Sequence, residues 1–170
     1  DEDGSLFPQQ PTEDMRFRFQ LTIDNAEELL RLTQEQDAGF QPIGSAQGWS
    51  PQSYLESVKK LIEVGYTYIA IGVVARAPDQ AIISVLDAIR DTVLESGVQL
   101  HILGVARFNL LEAYVATNVV SCDSAATLMQ AFKSTSSNYH VPNPPHYTCI
   151  RIPPTGEKTA LSPSPKVNKL

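Results

Sequence analysis

The sequence predicts an α/β fold built on parallel strands, and three observations carry that prediction. Short β-branched or apolar runs alternate with amphipathic stretches of helical period, separated by a few residues. Several of the runs end alike, in a glycine or in a carboxylate among small residues: Ile71-Gly72, Leu103-Gly104 and Ser121-Cys122-Asp123-Ser124. Each run leads into a helix rather than a hairpin turn, and neighbouring strands joined through a helix run parallel. A complete (β/α)8 barrel takes roughly 250 residues. The 170-residue chain, with about four βα units, therefore reads as a partial (β/α)8 TIM barrel followed by a loop-rich C-terminal tail.

The elements follow in order. Residues 1–14 are acidic and carry Pro and Gln, and read as a flexible lead-in. Phe17, Phe19, Leu21 and Ile23 alternate with Arg18, Gln20 and Thr22, a period of two that predicts a short strand. Thr22 or Asp24 then caps a helix through Ala26 to Leu32, with Gly39 as its stop signal. Residues 40–44 form a strand candidate. Ser50 caps the next helix and Pro51 opens it, with Tyr54, Leu55, Val58, Leu61 and Ile62 at helical spacing up to Gly65. Residues 66–71 are aromatic and β-branched, as expected of a buried strand. Ala77-Pro78-Asp79 opens a helix with Ile82, Ile83, Val85, Leu86, Ile89 and Val93 on its inner face, closed by Gly97. A strand over 98–103, a helix over 109–116, a strand over 119–122 and a helix over 125–132 complete the rhythm.

Beyond Lys133 the composition changes. Residues 147–152 suggest one isolated strand, and 153–170 carry Pro, Ser, Thr and Lys with few large apolar residues. The expected organisation is a lead-in over 1–14, half of a barrel domain over 15–133, and a tail over 134–170 that is largely disordered after 153.

Composition narrows the function classes. The chain is 42% hydrophobic and 19% charged, ordinary for a globular protein. No apolar run approaches the roughly 18 residues a bilayer span needs, and the acidic start lacks a signal peptide's basic and apolar regions. We expect a cytoplasmic protein with no membrane contact. A net charge of −6 argues against a broadly basic nucleic-acid binder, while leaving room for one basic rim. Cys122 and Cys149 share no metal-binding spacing, so no metal and no cofactor is expected, and both read as reduced thiols.

Asp123 ends an apolar run, where a barrel strand delivers a side chain to the active-site rim. A carboxylate there can attack a sugar anomeric carbon; it can equally cap the following helix through the amides of Ala125 or Ala126. Gln47, beside Gly48, offers a donor and an acceptor suited to a purine edge, or is a plain loop residue. Gly72 permits close approach of a planar ligand, or serves a turn that needs glycine's conformations. Arg76 and Arg107 sit just past strand ends, suiting phosphate or a salt bridge. His101 lies within a strand and reads as structural, away from the rim. His140 and His146 fall in the tail. Trp49 reads as packing.

Several segments together resemble the tRNA-guanine transglycosylase superfamily: Ser45-Ala46-Gln47-Gly48, Tyr68-Ile69-Ala70-Ile71-Gly72, His101-Ile102-Leu103-Gly104-Val105 and Ser121-Cys122-Asp123-Ser124. Their order is similar to the C-terminal half of that barrel. Met15-Arg16-Phe17-Arg18, Thr22 to Glu28, Gln130 to Lys133, Asn138-Tyr139 and Tyr147 to Pro153 resemble more closely the 7-deazaguanine DNA transglycosylases, which insert bases such as preQ0 into DNA. The resemblance implies that Asp123 is the nucleophile at C1′ and that Gln47 and Gly48 meet the base. It also implies that Gly72 and the Val73 amide contact the base carbonyl, and that Leu103 and Gly104 floor the pocket. Configuration would be retained through two displacements. The sequence departs from the family in three respects. Val73 stands where the family has a second glycine, the family's general-base aspartate lies in a front half not represented here, and the tRNA branch's zinc ligands have no counterpart.

The implied partners are DNA, or alternatively tRNA, a 7-deazaguanine base, and a polypeptide or second copy that completes the barrel. An open half-barrel would expose strand edges and aggregate when isolated. A different class of function, a catalytically inactive half-barrel that acts as a binding or scaffold subunit, is the alternative. An unrelated barrel half would need a lysine or a glycine-rich phosphate loop at a strand end, and the sequence offers neither.

Overall fold

Alternate residues along each strand point to opposite faces, and that parity organises the chain. The computed structural model describes residues 7, 10–72, 77–126, 128–129, 138 and 147–148. The chain divides into two compact units, Asp1–Ser124 and Ala125–Leu170. The first contains a parallel sheet of β1 (Gly44–Ala46), β2 (Tyr68–Ile71), β3 (Gln99–Ile102) and β4 (Val119–Cys122), in spatial order β1-β2-β3-β4. Helices α1 (Glu13–Glu35), α2 (Pro51–Val64), α3 (Asp79–Ser96) and α4 (Leu111–Ala116) accompany it, with a 3-10 turn, Phe108–Leu110, leading into α4. Sequential order with all strands parallel is the arrangement that repeated βαβ crossovers produce. It is compatible with part of a βα barrel.

The crossover helices share one face, since α2 packs on α3 and α3 on α4. The register rows Gly44–Ile69–Leu100 and Ala46–Ile71–Ile102 turn toward them. Those strand residues are buried with Val58 and Leu61 of α2 and Val85, Leu86, Ile89 and Val93 of α3. This side is the core. The opposite face carries the row Ser45–Ala70–His101–Ser121, small and polar rather than aliphatic.

The sequence reading holds for the middle of the chain. Ser50 caps α2, its side chain accepting from the Ser53 amide at 3.2 Å, with Pro51 at the first helical position. Gly65 and Gly97 end α2 and α3 in left-handed conformation, φ 113° and 71°. The reading fails at the start. Residues 17–23, expected as a strand, lie inside α1, a helix of 23 residues. Its cap is Thr12, which accepts from the Met15 amide at 3.2 Å, so Asp24 and Thr22 are interior. The alternation of Phe17, Phe19, Leu21 and Ile23 is accidental. Phe19, Ile23 and Ala26 are the buried set, at helical spacing, while Phe17 and Leu21 are exposed. The helix also stops at Glu35, before Gly39, with Asp37 at φ 47°.

The first strand is likewise displaced. It spans Gly44–Ala46 rather than 40–44, and Phe40 and Ile43 are exposed. Pro42 lacks the amide a strand would use. Gly44 lies against the Tyr66 ring, where a Cβ would sit 2.9 Å from Cγ.

Gly48 is tighter still: a Cβ there would meet Ser53 Oγ at 2.7 Å and the Tyr54 backbone nitrogen at 2.8 Å. The backbone atom cannot yield without moving the start of α2. Gly48→Ala is therefore expected to cost about 1–3 kcal/mol by overpacking, read as a lower urea midpoint at unchanged slope.

The helix expected over 125–132 is described only in part. In the second unit the Met129 amide donates to the Ala125 carbonyl at 2.8 Å. The remainder, the strand expected over 147–152 beyond its first two residues, and the segment after 153 lie outside the described residues. No helix among the described residues is long and apolar enough to cross a membrane.

Candidate active site at the carboxyl ends of the strands

One more row of the sheet can be counted past the strand ends. The Gly72 amide donates to the Ala46 carbonyl at 2.9 Å, the Leu103 amide to Ile71 at 3.1 Å, and the Asp123 amide to Ile102 at 3.3 Å. Continuing the registers by one residue sets Gln47, Gly72, Leu103 and Asp123 in line. By parity this row faces away from the crossover helices, with Ser45, Ala70, His101 and Ser121. Four of the site residues named from the sequence thus share one end and one face of the sheet, while Gly48 packs against Ser53 and Tyr54 of α2 outside this row.

Two parts of this row are in contact range. Around Gly72, an added Cβ would lie 3.7 Å from Gln47 Cγ and 3.8 Å from Leu103 Cδ1. Gly72 is thus the floor of a notch between those two side chains. Its φ lies outside the left-handed region, so the turn reading of this glycine does not hold. Both its backbone groups are engaged, the amide with Ala46 and the carbonyl with the Tyr54 hydroxyl, which donates at 2.7 Å. The Gly72 amide therefore closes the ladder rather than facing a ligand. Val73 and Arg76 lie outside the described residues, as do His140, His146 and Cys149.

At the other end of the row, Asp123 is anchored by one oxygen. Its Oδ1 accepts from the Gly104 amide at 2.9 Å and lies 3.0 Å from His101 Nε2. Gly104 has φ 74°, a conformation that glycine adopts without strain and that turns its amide toward β4. The amide bond, then the imidazole, hold the carboxyl of Asp123 below the usual carboxylate range. The side chain remains 59% exposed, so a ligand can reach it.

His101 is the residue that the sequence reading missed. It was expected near a strand start, remote from the rim. The observed strand begins at Gln99 and ends at Ile102, so His101 is its penultimate residue. It sits one row below Asp123, on the neighbouring strand and the same face, within reach of the carboxylate. Its Nδ1 lies 2.5 Å from Ser121 Oγ, which lies 2.5 Å from the Tyr68 hydroxyl. A parity count from Asp123 through Ser121 would have exposed this relation.

Gln47 and Asp123 stand at the same end of the sheet but beside its two edge strands, three strand spacings or roughly 14 Å apart. Gln47 is half-buried and borders two clefts. One, of about 260 Å³, is lined by residues including Thr12, Arg18, Phe19, Gly48 and Trp49. The other, of about 250 Å³, includes Asn25, Ile43, Ser45 and Tyr66. Asp123 lines neither. Trp49 packs edge-on against Phe19, ring centroids 5.5 Å apart, as a packing residue does. Arg107 is engaged with Asp79 at the start of α3, where the Asn109 amide also donates at 2.5 Å. That is the salt-bridge option of the sequence reading. Cys122 is an exposed free thiol.

The wall behind Gly72 gives a pH-dependent prediction. Burial pushes the Tyr54 hydroxyl up to about 12 from 10.0. A raised folded value favours the protonated form, so this stability is complete below the unfolded value and is lost as pH climbs toward 12. Tyr54→Phe is expected to cost about 1–2 kcal/mol at neutral pH, through the orphaned Gly72 carbonyl. It should also make the alkaline fall in stability shallower, as thermal melts between neutral and alkaline pH would record.

Among known proteins, a DNA-guanine transglycosylase from Salmonella montevideo is 33% identical over 159 residues, covering 94% of this chain and 38% of that protein. No family model matches the chain. The chain spans a little over a third of the length of the curated relative it matches. The match thus relates nearly the whole of this chain to part of one DNA-guanine transglycosylase.

Proposed function

We propose that the chain forms the nucleophile-bearing half of a (β/α)8 transglycosylase barrel that replaces guanine in DNA with a 7-deazaguanine such as preQ0. The observation that carries this reading is the Asp123 carboxylate, ionised, exposed and held at Oδ1 by the Gly104 amide and His101. A nucleophile needs this combination: negative charge, access and a fixed orientation.

In the first step Oδ2 of Asp123 bonds to C1′ of the target nucleoside as the C1′–N9 bond breaks. The electron pair leaves on guanine, which takes up a proton. In the second step N9 of the incoming deazapurine gives up a proton and bonds to C1′, and the carboxylate departs with its electron pair. Two displacements at one carbon retain configuration. The protons are exchanged with groups outside the described residues, or with solvent. The notch over Gly72, between Gln47 and Leu103, is the seat of the base, with Gln47 presenting its amide to the purine edge.

The rest of the barrel would close on both sides of the sheet. Near β4 the chain exposes Phe108, Leu111, Val115 and Val120, and near β1 it exposes Phe17, Leu21, Phe40 and Ile43. Apolar exposure of this extent marks surfaces that other protein covers. It also supports the expectation that the isolated chain associates.

Incorporation of labelled guanine into duplex DNA and into tRNA tests the reading. Incorporation into DNA is expected; incorporation into tRNA alone, or into neither, would oppose it. Gly72→Ala sharpens the test. The added methyl meets only ordinary contacts, so stability should stay within about 0.5 kcal/mol. It fills the notch, so KM for the free base should rise roughly 10- to 100-fold.

A further inference from the structure

The hydrogen-bonded groups behind Asp123 carry information that the nucleophile assignment does not use. Four side chains form one chain across β2, β3 and β4: Tyr68, Ser121, His101 and Asp123. The geometry points to a directed relay in which Tyr68 and Ser121 fix His101 as the neutral Nε2–H tautomer, making it the positioning residue that leaves Oδ2 of Asp123 as the attacking atom. The relay itself stands on the contacts alone; its link to attack rests on the transglycosylase reading.

Proton counting sets the direction. Ser121 Oγ is 2.5 Å from both the Tyr68 oxygen and His101 Nδ1, yet a hydroxyl carries one proton. If Tyr68 donates to Ser121 and Ser121 donates to Nδ1, then Nδ1 is the acceptor and the imidazole proton resides on Nε2. That proton faces Oδ1 of Asp123 at 3.0 Å. Every proton in the chain then meets an acceptor. The reverse direction, like one in which Ser121 accepts from both neighbours, puts a proton on Nδ1. That requires an imidazolium, because a neutral ring protonated on Nδ1 would set the Nε2 lone pair against a carboxylate.

The neutral form also suits the chemistry. An imidazolium would pair its full charge with the carboxylate and blunt its nucleophilicity, whereas a neutral Nε2–H orients the oxygen and leaves the negative charge in place. With the Gly104 amide, it concentrates two donors on Oδ1. They orient the carboxylate for attack through Oδ2, and they stabilise it again when it leaves C1′ in the second displacement. Tyr68 and Ser121 act one and two contacts further back, by setting which nitrogen carries the proton.

The test uses the 170-residue chain labelled with ¹⁵N at histidine and a long-range ¹H–¹⁵N spectrum at pH 8. The chain has three histidines, and His101 is identified by the signals lost in His101→Gln. The relay predicts a protonated Nε2, an unprotonated Nδ1, and an Nε2 proton slow to exchange with water. Asp123→Asn should speed that exchange, and Ser121→Ala should shift Nδ1. In the base-exchange assay, His101→Ala should lower kcat about 100-fold at nearly unchanged KM, with part of the rate restored in His101→Gln. A proton on Nδ1, a charged ring at pH 8, or a spectrum indifferent to Asp123→Asn and Ser121→Ala would overturn the relay. Should no form exchange guanine, the function fails and the spectrum still decides the relay.

Discussion

Asp123→Asn is expected to lower guanine exchange by about 10³-fold or more, the scale seen when a covalent nucleophile is removed. The asparagine amide is nearly isosteric and keeps an oxygen for the Gly104 amide and His101, so the site geometry should survive. What disappears is the anionic oxygen that bonds to C1′. The side chain is exposed and its carboxyl lies beyond the hydrophobic core, so melting temperature should hardly move. Loss of exchange with an unchanged melt separates a chemical role from a structural one. Exchange at the wild-type rate would remove Asp123 from the mechanism.

Tyr66→Ala is expected to be the most destabilising of these substitutions, at about 3–5 kcal/mol. Tyr66 is 2% exposed and joins three parts of the fold. Its ring covers the Cα of Gly44 on β1, and its hydroxyl donates to the Ala26 carbonyl of α1 at 2.7 Å. Removing the ring leaves a cavity under the strand that carries Gln47. A loss of this size is a large fraction of the roughly 5–15 kcal/mol by which a domain is stable. Tyr66→Phe keeps the ring and loses one hydrogen bond, about 1 kcal/mol. A chemical denaturation series of the two variants reads the ring and the hydroxyl separately.

The contrast between α1 and the later elements explains what the sequence made legible. Helices α2 and α3 carried punctuation at both ends, with Ser50-Pro51, Gly65, Pro78 and Gly97, and their apolar faces had one dominant period. In α1, apolar residues fall on both faces because Phe17, Leu21 and Leu29 are exposed. The exposed set and the buried set interleave into a false period of two. Strand β1 hid for the opposite reason: Gly44-Ser45-Ala46 has almost no strand signal of its own and is held by its neighbours.

The site was legible where it depended on order along the chain and obscure where it depended on register. Gln47, Gly72 and Asp123 each follow an expected strand, so position suggested them; Leu103 entered through the family resemblance alone. That they form one row required the pairings. His101 is fourth of six in the expected strand over 98–103, and only the pairing of β3 with β4 shows that it shares a face with Ser121 and Asp123. Arg107 looked available for phosphate until the turn before α4 brought it to Asp79.

The account turns on which atom bonds to the sugar. If the proposed function holds, incubating the protein with duplex DNA, without a free base, should accumulate the first covalent species. Mass spectrometry of the peptides after denaturation and nuclease digestion then locates the adduct. The account predicts a deoxyribosyl mass on Asp123, absent from Asp123→Asn and chased away by added 7-deazaguanine. An adduct on another side chain, or active exchange with Asp123 never modified, would contradict it.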